Sequence, residues 1–255
     1  MPPLQLLVIA GLFGLVIGSF LNVCIYRMPR GVSVVFPPSA CGGCQQTLRW
    51  FENIPVVSWL ALGGKCARCR SAISIRYPLV ELITGVLFVV TTIVTPVGPL
   101  LAARLLFVCA LIVLFAIDLE FQILPNAITL PGIVIGFLFA LVGPPGWLAS
   151  LVGTVVGGGV LYAIAAGYYY VRKEEGLGMG DVKMLAMIGA FLGWQQMLLT
   201  LVLASFSGAV IGVGIIALQR GSMKYALPFG TFLALGAGAA MLTGQPLIDW
   251  YIGFY

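Results

Sequence analysis

The chain alternates long apolar runs with short polar breaks. The runs cover residues 4–26, 78–95, 100–117, 127–142, 147–171, 182–193, 197–218 and 226–242. An α-helix needs roughly 20 predominantly apolar residues to cross a bilayer. The pattern therefore predicts an all-α polytopic integral membrane protein with about eight membrane segments. The sixth run is too short for an ordinary span and is expected to be tilted, set in a thin region or partly re-entrant. Only one polar stretch is large enough to be a module, so the chain divides into a first membrane segment (1–26), a loop domain (27–77) and a membrane core (78–255).

Composition agrees with that division. Hydrophobic residues make up 61% of the chain and charged residues 8%, against about 25% charged in soluble domains. The first run is not expected to be a cleaved signal, because no basic residue precedes it while Arg27 and Arg30 follow it. The positive-inside rule then puts the N-terminus outside and the loop domain in the cytoplasm. Alternating from there places every basic residue except Arg104 on the cytoplasmic side, as in a bacterial inner membrane. This accounts for the net charge of +5 without a nucleic-acid partner, and leaves the lipid bilayer as the general one.

The loop domain carries Cys41-Gly-Gly-Cys44 and Cys66-Ala-Arg-Cys69. Each pair can occupy two adjacent corners of a tetrahedron, and four thiolates are a usual zinc set. A reducing cytoplasm disfavours disulfides. A closed four-sulfur shell leaves no place for a catalytic water, so the zinc is expected to be structural. A redox dithiol or an iron–sulfur cluster are the alternatives. Cys24 and Cys109 stand alone in spans and read as small apolar residues. The glycines at 153 and 157–159 read as close helix packing.

The chain has no histidine, which excludes Ser-His-Asp and Cys-His nucleophile systems and His-x-x-x-His zinc proteases. Two aspartates remain at the ends of apolar runs, Asp118 and Asp181, the second within Gly178-Met-Gly-Asp181. Acids at membrane depth are expensive and call for a functional account. Two carboxylates sharing one proton can hydrolyse an amide: one takes a proton from water, the other gives one to the carbonyl. Gly178 and Gly180 leave room for close approach of a substrate backbone. The structural alternatives are a helix-capping Asp181 and an interfacial Asp118.

The motifs around these residues resemble the type IV prepilin peptidases (leader peptidase/N-methyltransferases), aspartic proteases of the Gly-x-Gly-Asp type. The resemblance rests on Gly18-Ser-Phe-Leu-Asn-Val-Cys-Ile-Tyr-Arg27, the two Cys-x-x-Cys pairs and Tyr77-Pro-Leu-Val-Glu81. It continues through Asp118-Leu-Glu-Phe-Gln-Ile-Leu-Pro-Asn126, Gly178-Met-Gly-Asp181-Val-Lys183 and Pro228-Phe-Gly230. It implies cleavage of basic leaders from type IV prepilins or type II secretion pseudopilins at the cytoplasmic face, with Asp118 and Asp181 as the catalytic pair. It further implies N-methylation of the new terminus with S-adenosylmethionine as donor. Asn126 stands where many relatives have Asp, which argues against a catalytic role there. Glu120, Glu174 and Glu175 are candidates for binding the basic leader, the alternative being ordinary interfacial glutamates. Asn22 and Glu81 are candidates for methyl transfer or cofactor binding, the alternative being hydrogen bonds within and between helices. A peptidase without methylase activity and an ion-coupled transporter are the competing functions.

Overall fold

The structure, a computed structural model, describes residues 2–173, 178–219 and 227–253. Apart from two isolated β-bridges, the regular structure among these residues is helical. The helices are α1 (Leu4–Arg27), α2 (Val57–Ala61), α3 (Arg76–Val94), α4 (Pro99–Phe121), α5 (Asn126–Ala140), α6 (Trp147–Arg172), α7 (Met179–Gln219) and α8 (Phe229–Ile252). Among the described residues six helices are long and apolar enough to cross a membrane, and α5 is a shorter apolar helix.

The chain forms two compact units, Met1–Val97 and Gly98–Tyr255. In the first, α1 and α3 pack through small residues, which let backbones approach where hydrocarbon gives no hydrophobic drive. A Cβ placed on Gly14 would lie 2.8 Å from the Gly85 backbone, and one on Gly18 would lie 2.7 Å from Glu81 Cα. The loop domain hangs between these helices with two short 3-10 turns and α2 as its only regular structure besides the bridges.

In the second unit α7 is the informative element. Gly193 interrupts it with φ 76° and ψ 171°, a left-handed backbone that glycine adopts at little cost. Leu185 and Met197 flank this break. In a straight helix they would stand about 18 Å apart. Both nevertheless meet Gly157 of α6: a Cβ there would lie 2.9 Å from the Leu185 carbonyl oxygen and 3.3 Å from Met197 Cγ. The chain therefore folds back at Gly193, and α7 is a hairpin of two limbs, residues 179–192 and 194–219. With that break the described residues hold eight apolar helical segments besides the short α2, and the short sixth run of the sequence is the first limb.

Both limbs have defined partners. The first limb lies against α6, where Ser150 Oγ donates to the Ala190 carbonyl at 2.8 Å and a Cβ placed on Gly153 would lie 2.6 Å from the Gly189 carbonyl oxygen. The second limb runs antiparallel to α8: Gly244 meets Gln196, Gly236 meets the Thr200 carbonyl, and Gly208 meets Phe232. This pairing brings the start of α8 to the same end of the unit as the start of α7.

A side chain at Gly189 would enter the Gly153 backbone, so Gly189→Val is expected to destabilise the folded unit by about 1–3 kcal/mol or more. Thermal unfolding of the purified protein in detergent measures this, and an unchanged midpoint would show that the α6–α7 contact is looser than described.

Candidate active site

Asp118 sits in the last turn of α4, which ends because Gln122 turns into the left-handed region at φ 53° and donates its N–H to the Asp118 carbonyl at 2.9 Å. Asp181 sits in the first turn of α7, where its carboxyl reaches back to the Gly178 backbone. Both are buried, Asp118 at 4% exposure and Asp181 at 9%. Leu124 touches the Gly180 turn that leads into Asp181 and the Gly230 turn beside Asp118, so acids from α4 and α7, far apart in the sequence, come to the same end of the unit.

The start of α8 comes to the same place. Asp118 Oδ2 accepts the Thr231 N–H at 2.6 Å and the Thr231 hydroxyl at 3.1 Å. One oxygen of Asp118, Oδ2, is therefore fixed by two donors. A Cβ on Gly230 would lie 2.9 Å from Asp118 Oδ2 and from Leu124 Cδ1, and one on Gly180 would lie 2.9 Å from Leu124 Cβ. Leu124 is thus a wedge between the two glycine turns that carry the site. Across the same end, Lys183 Nζ donates to Asn126 Oδ1 at 2.9 Å, tying α7 to the start of α5.

Several sequence candidates find definite places. Gly180 makes room for Leu124, and Gly178 for the carboxyl of Asp181, whose Oδ2 would lie 3.3 Å from a Cβ there. Glu120 is exposed on α4, one residue beyond the exposed Leu119. Glu174 and Glu175 lie outside the described residues. Asn126 acts as a hydrogen-bond acceptor for Lys183, in keeping with a non-catalytic reading. Thr231 is the residue that motif reasoning missed. Its only signal is position, immediately after Pro228-Phe-Gly230, since a threonine near an apolar run is otherwise unremarked.

Asn22 and Glu81 are engaged within the fold. Asn22 Nδ2 donates to the Tyr77 carbonyl at 3.0 Å, and Glu81 Oε2 accepts the Val56 N–H at 2.7 Å and is hydrogen-bonded to Ser19. Val56 has φ 60°, a costly conformation for a β-branched residue, and Glu81 holds it there. These contacts fit anchoring of the loop domain onto α1 and α3.

The four loop cysteines do form a metal-ready cluster, with their sulfurs all within 4.8 Å of one another. Cys41 Sγ lies 3.7 Å from Cys69 Sγ, close to the ~3.8 Å edge of a tetrahedron with 2.3 Å zinc–sulfur bonds. Each pair sits on the same knuckle. Cys41 N–H donates to the Gln46 carbonyl and Cys66 N–H to the Ser71 carbonyl, both at 2.9 Å. Gln45 and Arg70 each turn through positive φ directly after the second cysteine of their pair. The Ser71 hydroxyl, then the Cys44 and Gly43 backbones and the Cys66 side chain, draw the Cys41 thiol down to about 5. At Cys44 the Gln46 backbone acts the same way, but desolvation and the neighbouring Cys41 and Cys69 carry that thiol up to about 11. Crowding of this kind is what a divalent cation relieves.

Comparison with known proteins agrees with this architecture. Residues 12–95 match the Bacterial Peptidase A24 N-terminal domain and residues 105–213 the Type IV leader peptidase family. A protein of Aeromonas salmonicida named prepilin leader peptidase/N-methyltransferase is 37% identical, covering 94% of this chain and 92% of the relative. Proteins of the same name from Stutzerimonas stutzeri and Pseudomonas aeruginosa are 35% and 36% identical, each covering 99% of this chain and 96% and 95% of the relative. No solved structure matches. The chain belongs to the type IV leader peptidase family.

If the cysteine cluster holds zinc, the purified protein should contain close to one zinc per chain, and Cys66→Ser should reduce that to near zero. Elemental analysis of the two proteins decides it. Full zinc content in Cys66→Ser would remove the cluster as its site.

Proposed function

We propose that the chain is a membrane aspartic endopeptidase that removes the leader of type IV prepilins or type II secretion pseudopilins and then N-methylates the new terminus. The observation that carries the peptidase reading is the burial of Asp118 and Asp181 at one end of the second unit, with Asp118 Oδ2 held by Thr231. Membership of the family and the names of its relatives support the substrate class and the second activity.

The geometry suits hydrolysis by an activated water. Asp118 Oδ1, the oxygen not taken by Thr231, accepts a proton from water as its oxygen attacks the scissile carbonyl carbon. Asp181 gives a proton to the carbonyl oxygen. The tetrahedral product then expels the amine, which takes the proton that Asp118 gained, and Asp181 recovers its own from the collapsing hydroxyl. No catalytic metal enters this scheme.

The zinc, held by Cys41, Cys44, Cys66 and Cys69, serves the loop domain as a structural staple: the domain has only 3-10 turns, a short helix and two isolated bridges with which to hold itself together. S-adenosylmethionine is the methyl donor implied by the names of the relatives. The orientation follows from the distribution of basic residues: N-terminus outside, with the loop domain and aspartate pair opening to the cytoplasm of a bacterial inner membrane.

Asp118→Asn and Asp181→Asn should each lower cleavage of a prepilin by roughly 100-fold or more, with zinc content unchanged. Wild-type turnover in either variant would remove that residue from the mechanism. Mass spectrometry of a co-expressed pilin should show loss of the leader together with a 14 Da gain at the new N-terminus, the mass of one ~CH2 group added by methylation. A cleaved but unmethylated pilin would leave the peptidase alone.

A further inference from the structure

We propose that the edge of the loop domain running from Trp50 to Leu60 docks on the bilayer, its apolar side chains set among the lipids of an anionic phospholipid leaflet. The proposal goes beyond the peptidase reading and does not rest on it.

The edge begins with aromatic residues. Trp50 is 81% exposed and Phe51 is exposed beside it, their rings meeting edge to face at 5.7 Å. Ile54 follows, and then α2, whose Val57 and Leu60 are exposed one turn apart. The other side of α2 serves the interior of the domain. Trp59 Nε1 donates to the Ile73 carbonyl at 3.1 Å, and its ring lies where a Cβ on Gly64 would stand, 2.8 Å from Trp59 Cζ2. A short helix with an inner face already used thus turns an aliphatic face outward. Contiguous exposed apolar surface of this kind marks an interaction site.

Two hydrogen bonds fix the height of this edge against the membrane spans. Val56, one residue before α2, donates its N–H to Glu81 Oε2 at 2.7 Å. Glu81 lies about 8 Å along α3 from its first residue, Arg76. The same carboxyl is hydrogen-bonded to Ser19, about 12 Å along α1 from its last residue, Arg27. A glutamate side chain leaning back toward the helix start recovers only about 4 Å of that depth. Val56 therefore sits inside the ends of both spans, and α2 starts from there. Beside it α3 exposes Leu79, Leu82 and Ile83, the surface with which a span meets lipid. The apolar edge continues that surface, so the occupant that covers α3 also covers α2. Tryptophan favours this zone, where its ring is buried and its N–H stays near water.

Charge decides the kind of lipid. Between residues 27 and 77 stand seven basic residues and one acid, Glu52. That acid is turned inward onto the backbone, its Oε2 accepting the Arg49 N–H at 2.7 Å. A zinc ion held by four thiolates removes about two of the positive charges and leaves the domain basic. Arg49 adjoins the edge itself, with its guanidinium 5.8 Å from the centre of the Phe51 ring. A basic group beside interfacial aromatics is drawn to anionic headgroups. The loop domain is then fastened at three places, its two spans and this edge.

The test uses the full-length protein in vesicles of phosphatidylcholine containing phosphatidylglycerol, with no substrate present. A fluorescent amino acid replaces Leu60, which is 64% exposed, and in a second variant Trp50, so that one perturbed side chain does not decide the outcome. Iodide on both sides of the membrane should quench either label at least about fivefold less than it quenches the free amino acid, while lipids carrying a nitroxide near the headgroup should quench it. In phosphatidylcholine alone, iodide quenching should rise at least about twofold. Labels that iodide reaches as readily as the free amino acid overturn the docking. Equal protection in the two lipids overturns the choice of an anionic leaflet. Protection that appears only after a prepilin is added would assign the edge to the substrate and overturn the proposal as well.

Discussion

Two acids from distant parts of the chain are buried at one end of the second unit, and the unit is arranged around the cost of putting them there. An ionisable group in a low-dielectric surrounding persists only with partners. The first partner is the start of α8, whose Thr231 gives both its donors to one oxygen of Asp118. The second is the other acid, with which a proton can be shared. The glycines next to the pair serve the same end: Gly180 and Gly230 admit Leu124 between them, which brings the two turns together and keeps the pocket small.

The hairpin in α7 makes this convergence possible. Had the helix continued straight through Gly193, its second limb would have carried residues 194–219 away from α8, and the start of α8 would not return to Asp118. The antiparallel contact of the second limb with α8 brings Thr231 back to the aspartates. A single left-handed glycine thus has its effect at the other end of the limb, at the pocket.

Much of this was legible in the sequence, for physical reasons. Membrane helices must satisfy their backbone internally, so apolar runs translate directly into helices, and the short run at 182–193 already marked a segment unlike the rest. The Cys-x-x-Cys pairs announced a tetrahedral cluster because the spacing itself encodes the geometry. Asp118 and Asp181 stood out by their cost. What could not be read was tertiary. Thr231 carries no motif of its own, and its role exists only because α8 meets α4. Gly178 and Gly180 suggested room for a substrate, but a missing side chain does not say what fills the space, and here Leu124 and the Asp181 carboxyl do. For Asn22 and Glu81 the sequence left open a methyl-transfer role or hydrogen bonds within and between helices, and the structure gives each a hydrogen-bond partner, the Tyr77 carbonyl and the Val56 N–H.

Joint action of the two carboxylates is tested most directly by a double-mutant cycle on prepilin cleavage. Groups that work as one unit are strongly non-additive, so the Asp118→Asn/Asp181→Asn double variant should be no slower than the slower single variant. Losses that multiply in the double variant would mean that each aspartate acts on its own, and the shared-proton machinery proposed for this pocket would not exist.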